Sequence, residues 1–122
     1  MTHFPQPHPQ HRATRIALGS TVPALVKLVD GQRAKARIQI VSVTGGLLQL
    51  AHALAEGDFV EVAFKTQSGP VHGMAEMLHP RQVLPNGALQ PFRFVALEDD
   101  DHRTLRLTVD TTRERSFLLG SH

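Results

Sequence analysis

From about residue 20 onward, apolar and polar residues alternate in short stretches with a period of two, the repeat of a half-buried β-strand. In Val22 to Val29, Ala24, Val26 and Leu28 share one face. Asp30-Gly31 follows, a dipeptide suited to a tight hairpin because glycine accepts a positive φ. The return stretch, Arg33 to Val43, sets Ala34, Ala36, Ile38 and Ile40 on one face against Lys35, Arg37 and Gln39 on the other. Beyond Ile40 the alternation blurs, since Val41 and Val43 are apolar on the second face; a bulge or a strand covered on both sides is expected there. Gly45-Gly46 is expected to break the chain before Leu47 to Ala51 resumes it.

Further on, a turn at Ala55-Glu56-Gly57-Asp58 leads into Phe59 to Lys65, where Val60, Val62 and Phe64 align. Ser68-Gly69-Pro70 is the next turn, and Val71 to His79 then groups Val71, Gly73, Ala75 and Met77. Pro80 to Ala88 reads as an irregular loop, and Phe92, Phe94 and Ala96 alternate in a last strand. Six short strands joined by turns predict a mainly all-β fold, a closed antiparallel barrel or a sandwich.

The two ends of the chain behave differently. Asp99, Asp100 and Asp101 suit a helix start, where the macrodipole favours negative charge, and Leu105, Val109 and Thr112 then fall on one side. Thr108, Val109, Thr111 and Thr112 are weak helix formers, so this helix is expected to depend on docking, plugging an open end of the barrel. At the front, Pro5, Pro7 and Pro9 exclude helix. Residues 1–14 are therefore expected to form a flexible Pro/His-rich arm, 15–116 the barrel with its helix, and 117–122 a tail.

Composition narrows the function. At 122 residues the chain has room for one core, and its 41% hydrophobic content is enough to pack it. No apolar run approaches the roughly 20 residues that cross a bilayer, and Met1-Thr2-His3-Phe4-Pro5 lacks the layout of a secretory signal. With no cysteine there is no disulfide framework and no thiolate ligand, so a cytoplasmic location without membrane insertion is expected. The net charge of +2 is too small for a committed nucleic-acid surface, although no carboxylate precedes Asp30, leaving Arg12, Arg15 and Lys27 unopposed.

The usual catalytic signatures are absent: no GxSxG, HExxH, Walker or GxGxxG pattern occurs. The run Asp99 to Asp101 reads as helix capping rather than a carboxylate pair. His3, His8 and His11 lack the fixed geometry a metal site requires, and His52, His72 and His79 read as surface positions. Single-strand nucleic acid needs aromatic platforms, yet there is no Trp or Tyr, and Phe59, Phe64, Phe92, Phe94 and Phe117 are expected to pack. Neither an enzyme, a metal protein nor a nucleic-acid binder is expected.

One constellation remains. Gln10-His11-Arg12-Ala13-Thr14-Arg15 stands just before the barrel, and Ile40-Val41-Ser42-Val43-Thr44-Gly45-Gly46 ends a strand with hydroxyls and paired glycines. Arginine forks grip phosphate and stack on purines, glycines admit close backbone approach, and hydroxyls add donors. The same residues also read as a surface arginine pair and a glycine bulge that need no ligand.

From about residue 11 to 112 the chain resembles a PilZ domain, the bacterial receptor module for cyclic di-GMP. The resemblance lies in the order of segments: an arginine arm, a hairpin, a strand with Ser-x-x-Gly followed by Gly46-Leu47-Leu48-Gln49-Leu50, then Leu54 to Val62, Val71 to Met77 and Phe92 to Leu97 before the acidic helix start. It implies a six-stranded antiparallel β-barrel with a C-terminal α-helix, cyclic di-GMP as ligand with no other cofactor, non-catalytic second-messenger signalling, and a downstream protein partner. Family binders resemble Arg-x-x-x-Arg in the arm and Asp/Asn-x-Ser-x-x-Gly on the barrel. Here Arg15 takes the second arginine place and His11 the first, with Arg12 one residue out of step. On the barrel Ser42 and Gly45 fit, while Ile40 occupies the acidic or amide place; a shifted register uses Ser42 and Thr44 and meets Leu47 at the glycine. Arg33 to Arg37 repeats the arginine spacing but lies within a strand. The expected ligand residues are His11, Arg12, Arg15, Ser42, Thr44, Gly45 and Gly46. The alternative is a degenerate PilZ domain that binds no nucleotide and serves as a protein–protein adaptor in motility or surface-polymer regulation.

Overall fold

The computed structural model describes residues 2–3 and 15–119, apart from the side chains of residues 3, 19, 20 and 113–119. Eight strands and one helix follow in the order β1 (Thr2–His3), β2 (Ile16–Leu28), β3 (Arg33–Ser42), β4 (Gly45–Leu50), β5 (Phe59–Thr66), β6 (Gly69–Met77), β7 (Gln82–Leu84), β8 (Gly87–Glu98) and α1 (Asp99–Leu119). All pairings are antiparallel, and the path β8-β4-β3-β2-β5-β6 closes on itself through β6 and β8. The result is the expected six-stranded barrel with a C-terminal helix; β1 and β7 are short additions, each pairing with β8.

Most of the faces read from the period-two pattern form the core. Ala24 and Val26 on β2, Val60, Val62 and Phe64 on β5, Val71, Ala75 and Met77 on β6, and Phe92 and Phe94 on β8 are all buried. The Asp30-Gly31 turn forms as expected, with the Gln32 amide donating to Asp30 Oδ1 at 2.9 Å. Gln90, a fully buried polar residue, is satisfied by the chain around it. Its amide nitrogen donates to the carbonyls of Leu54 and Leu78 at 2.7 and 2.9 Å, and its oxygen accepts from the Leu54 amide at 2.8 Å.

The alternation that blurs beyond Ile40 does so because of a bulge just before it. Two steps along β3 match one along β4 between Ile38 and Ile40, so the inward set changes phase. Ile40 leaves the face that holds Ala36 and Ile38 and is only half-buried, while Val41 takes the inward place and is fully buried. A larger irregularity lies in β2, where five steps from Ala17 to Val22 oppose two on β3; β2 therefore starts at Ile16, earlier than its alternation suggests.

Three further expectations are corrected. Gly45-Gly46 does not break the chain: the turn is at Val43-Thr44, and the glycines open β4. The stretch Pro80 to Ala88 is not wholly irregular, because β7 pairs with the start of β8 around Pro85-Asn86. Phe59 is 51% exposed rather than packed, since the inward phase of β5 is carried by Val60, Val62 and Phe64.

Helix α1 begins on the acidic triplet and lays Leu105, Thr108 and Val109 into the barrel, all three buried. Burying an aliphatic side chain of this size stabilises by roughly 1.5–3 kcal/mol, which offsets the weak propensity of its threonine-rich middle. Thr108 Oγ1 donates to Thr66 Oγ1 at 2.8 Å, and Asp101 Oδ1 accepts from the His72 amide at 2.9 Å, tying the helix to β5 and β6. The helix runs to Leu119. The expected arm lies outside the described residues except for Thr2–His3, which pair with Glu98 and Leu97. Among the described residues no helix is long and apolar enough to cross a membrane.

Candidate functional site

Strands β3 and β5 both run antiparallel to β2, so the β3–β4 hairpin turns at the end of the barrel where β2 begins. Arg15 immediately precedes Ile16, the partner of Val41, and so stands beside Ser42 with its side chain exposed. The structure thus brings together Arg15, Ser42, Thr44, Gly45 and Gly46, which the sequence keeps almost thirty residues apart. His11 and Arg12 lie outside the described residues.

The hairpin's hydroxyls are engaged with each other and with the backbone. Ser42, 5% exposed, accepts from the Thr44 amide at 3.2 Å, donates to the Gly45 carbonyl at 3.4 Å, and shares a hydrogen bond with Thr44 Oγ1 at 3.1 Å. The Thr44 carbonyl accepts from the Phe94 amide at 2.8 Å, anchoring the turn to β8. Both glycines are needed for close approach. A Cβ on Gly45 would overlap the Phe92 carbonyl oxygen, and one on Gly46 would sit 2.7 Å from the Ile40 carbonyl and 3.0 Å from the Phe92 ring. They bring β4 tight against β3 and β8: Gly45 lies on the face of Ser42 and Arg93, whereas Gly46, paired with the buried Val41 and Phe92, faces the core.

The bulge turns Ile40 onto the outer face that carries Ser42, two residues along. The place where the family pattern has a carboxylate or amide is therefore on the wall and apolar. Arg93, absent from the sequence candidates, is the direct partner of Gly45, and its guanidinium contacts Glu76 Oε1 through Nη2 at 2.6 Å and Nε at 2.7 Å. Alternation marks Arg93 as outward; its nearness to Gly45 depends on strand order, which alternation does not encode.

A groove of about 1040 Å³ crosses Pro23, Ala36, Leu50, Phe64 and Val71, and none of the sequence candidates lines it. The wall at Ser42–Gly46 carries the polar chemistry, whereas the groove is mainly apolar. Among the described residues no three His, Asp or Glu side chains gather in a way that could hold a metal ion.

The fold is that of PilZ domains. The chain is similar to the PilZ domain of YcgR from Escherichia coli, a structure with c-di-GMP, at 20% identity and a TM-score of 0.69, over 92% of this chain and 98% of that one. It is also similar to YcgR from Escherichia coli in complex with c-di-GMP, at 20% identity and a TM-score of 0.74, covering 92% of this chain and 50% of that longer one. The PilZ domain of CeSA from a cellulose-synthesizing bacterium aligns at 14% identity and a TM-score of 0.58, over 81% of this chain and 98% of its own. No family model and no curated protein sequence matches the chain.

Proposed function

We propose that the protein is a non-catalytic receptor module of PilZ type that binds cyclic di-GMP in the bacterial cytoplasm and passes the signal to a protein partner. The observation that carries this reading is the placement of Arg15 beside the Ser42–Gly46 hairpin, on a barrel whose structural neighbours include two with c-di-GMP. Residues 1–14 act as an arm: Arg12 and Arg15 fork a phosphate and stack on guanine, with His11 assisting. Ser42, Thr44, Gly45 and Gly46 form the wall against which the ligand lies. Closure of the arm over the bound ligand is the change a partner reads.

Calorimetric titration of the full chain with cyclic di-GMP, with GTP as control, tests the reading. Binding tighter than about 10 µM, about 7 kcal/mol, and specific to the cyclic dinucleotide supports it. Arg15→Ala should then abolish the heat while leaving the melting temperature within a few degrees of wild type; unchanged affinity overturns the residue assignment.

The adaptor alternative draws support from Ile40, apolar on the wall, and from Ser42, whose hydroxyl is already engaged. In that reading the wild type gives no heat, and Ile40→Asp combined with His11→Arg creates binding. Silence of the double variant as well would mean that the wall itself is not a nucleotide site.

A further inference from the structure

Side chains of directly paired residues stand side by side on one face of a sheet. At the level of Ser42 the pairs run Ser42 to Gly45, Gly45 to Arg93 and Arg93 to Glu76, with Arg15 at the edge of β2 beyond Ser42. Gly45 contributes no side chain, so Ser42 and Arg93 face each other across bare backbone. Neighbouring strands are about 4.8 Å apart, so Arg93 is one strand from Gly45 and two from Ser42, while Arg15 is half way round the closed barrel from it. Arg93 is the only Lys or Arg in β4 or β8, its side chain is 47% exposed, and its partner Glu76 is 23% exposed.

We propose that Arg93 is a second anion-gripping residue of this site, held by Glu76 until a phosphate of the ligand displaces the carboxylate. The inference rests on the cyclic dinucleotide reading above and adds to it a residue on the far side of the wall and a competitor within the protein. Arg93 is the direct strand partner of Gly45, so its guanidinium, released from Glu76, can swing to a phosphodiester lying on the Ser42–Gly45 strip. Carboxylate and phosphate compete for the same N–H donors of the arginine fork, and Glu76 Oε1 already takes Nη2 and Nε, so one guanidinium cannot satisfy both fully. Glu76 thereby sets how tightly the ligand binds.

Titrating cyclic di-GMP into the full-length wild type, Arg93→Ala, Glu76→Gln, the double variant and Arg15→Ala tests this, with a thermal melt of each. Loss of a charge-assisted contact should weaken Arg93→Ala about 10- to 100-fold. Glu76→Gln should tighten binding about 2- to 5-fold, the scale of a released partly exposed ion pair, and should have no effect once Arg93 is alanine. If Glu76→Gln weakens binding as much as Arg93→Ala, the pair is a structural strut and the proposal is overturned. An Arg93→Ala affinity within twofold of wild type, alongside lost binding in Arg15→Ala, overturns the Arg93 assignment and leaves the receptor reading standing. A wild type that takes up no ligand overturns both.

Discussion

Two hairpins at the same end of the barrel carry nearly the same four-residue pattern, Ser42-Val43-Thr44-Gly45 between β3 and β4 and Thr66-Gln67-Ser68-Gly69 between β5 and β6. In each, the first hydroxyl accepts from the amide two residues on, at 3.2 Å for Thr44 and 3.1 Å for Ser68. Each also donates to the glycine carbonyl, at 3.4 Å for Gly45 and 2.8 Å for Gly69. There the likeness ends. Thr66 also accepts from Thr108 of α1, and Gly69 adopts a φ of 130° with the Thr104 methyl beyond it. Ser42 has its own Thr44 hydroxyl for a partner instead, and Gly45 is wedged against the backbone of β8. One turn chemistry thus serves two ends: at Thr66 it is bonded to the helix, and at Ser42 it is closed on itself and wedged against β8 beside Arg15.

The sharpest way to break this comparison is to add one methyl group to each glycine. Gly45→Ala drives a Cβ into the Phe92 carbonyl and forces two strands apart, so urea unfolding should show a loss of about 3 kcal/mol or more. Gly69→Ala meets nothing closer than 3.6 Å and suffers only from its positive φ, about 1 kcal/mol. Equal losses in the two variants would remove the distinction.

A smaller difference is expected at the hydroxyls. Thr66→Val removes the partner of the Ser68 amide, the Gly69 carbonyl and Thr108 together and should cost about 2 kcal/mol, loosening α1. Ser42→Ala removes contacts confined to its own turn and should cost about 1 kcal/mol. Amide exchange along α1 should accelerate in the first variant and not in the second; acceleration in both would mean that the helix senses either hairpin. The most delicate test is spectroscopic. On addition of cyclic di-GMP, amide resonances of residues 42–46 should shift while those of 66–69 stay in place, and the reverse pattern would move the site under the helix.

Much of the barrel is legible in the chain because strand faces are set by a local period of two. The inward residues of β5 and β6 follow from it, and the docking face of α1 follows from the helical period of 3.6. The period fails where an extra residue intervenes: the bulge at Gln39 sends Ile40 outward, and no local pattern marks which residue is the extra one. Phe59 shows a related limit, since its bulk suggests burial while its phase on β5 puts it outside. Of the candidate site, Arg15, Ser42, Thr44 and the glycines are identifiable by residue type. The close approach that makes the glycines necessary is not, because it is to Phe92, far along the chain on another strand.

The sequence by itself determined the turn chemistry, the alternating faces and the acidic start of the helix, all of which depend on residues within a few positions of one another. Only the tertiary structure decided that β6 closes onto β8, that α1 hydrogen-bonds to the Thr66 hairpin, and that Arg93 stands beside Gly45. Those outcomes depend on strand order and register, which are fixed when the whole core packs and Leu105 and Val109 of the helix join it.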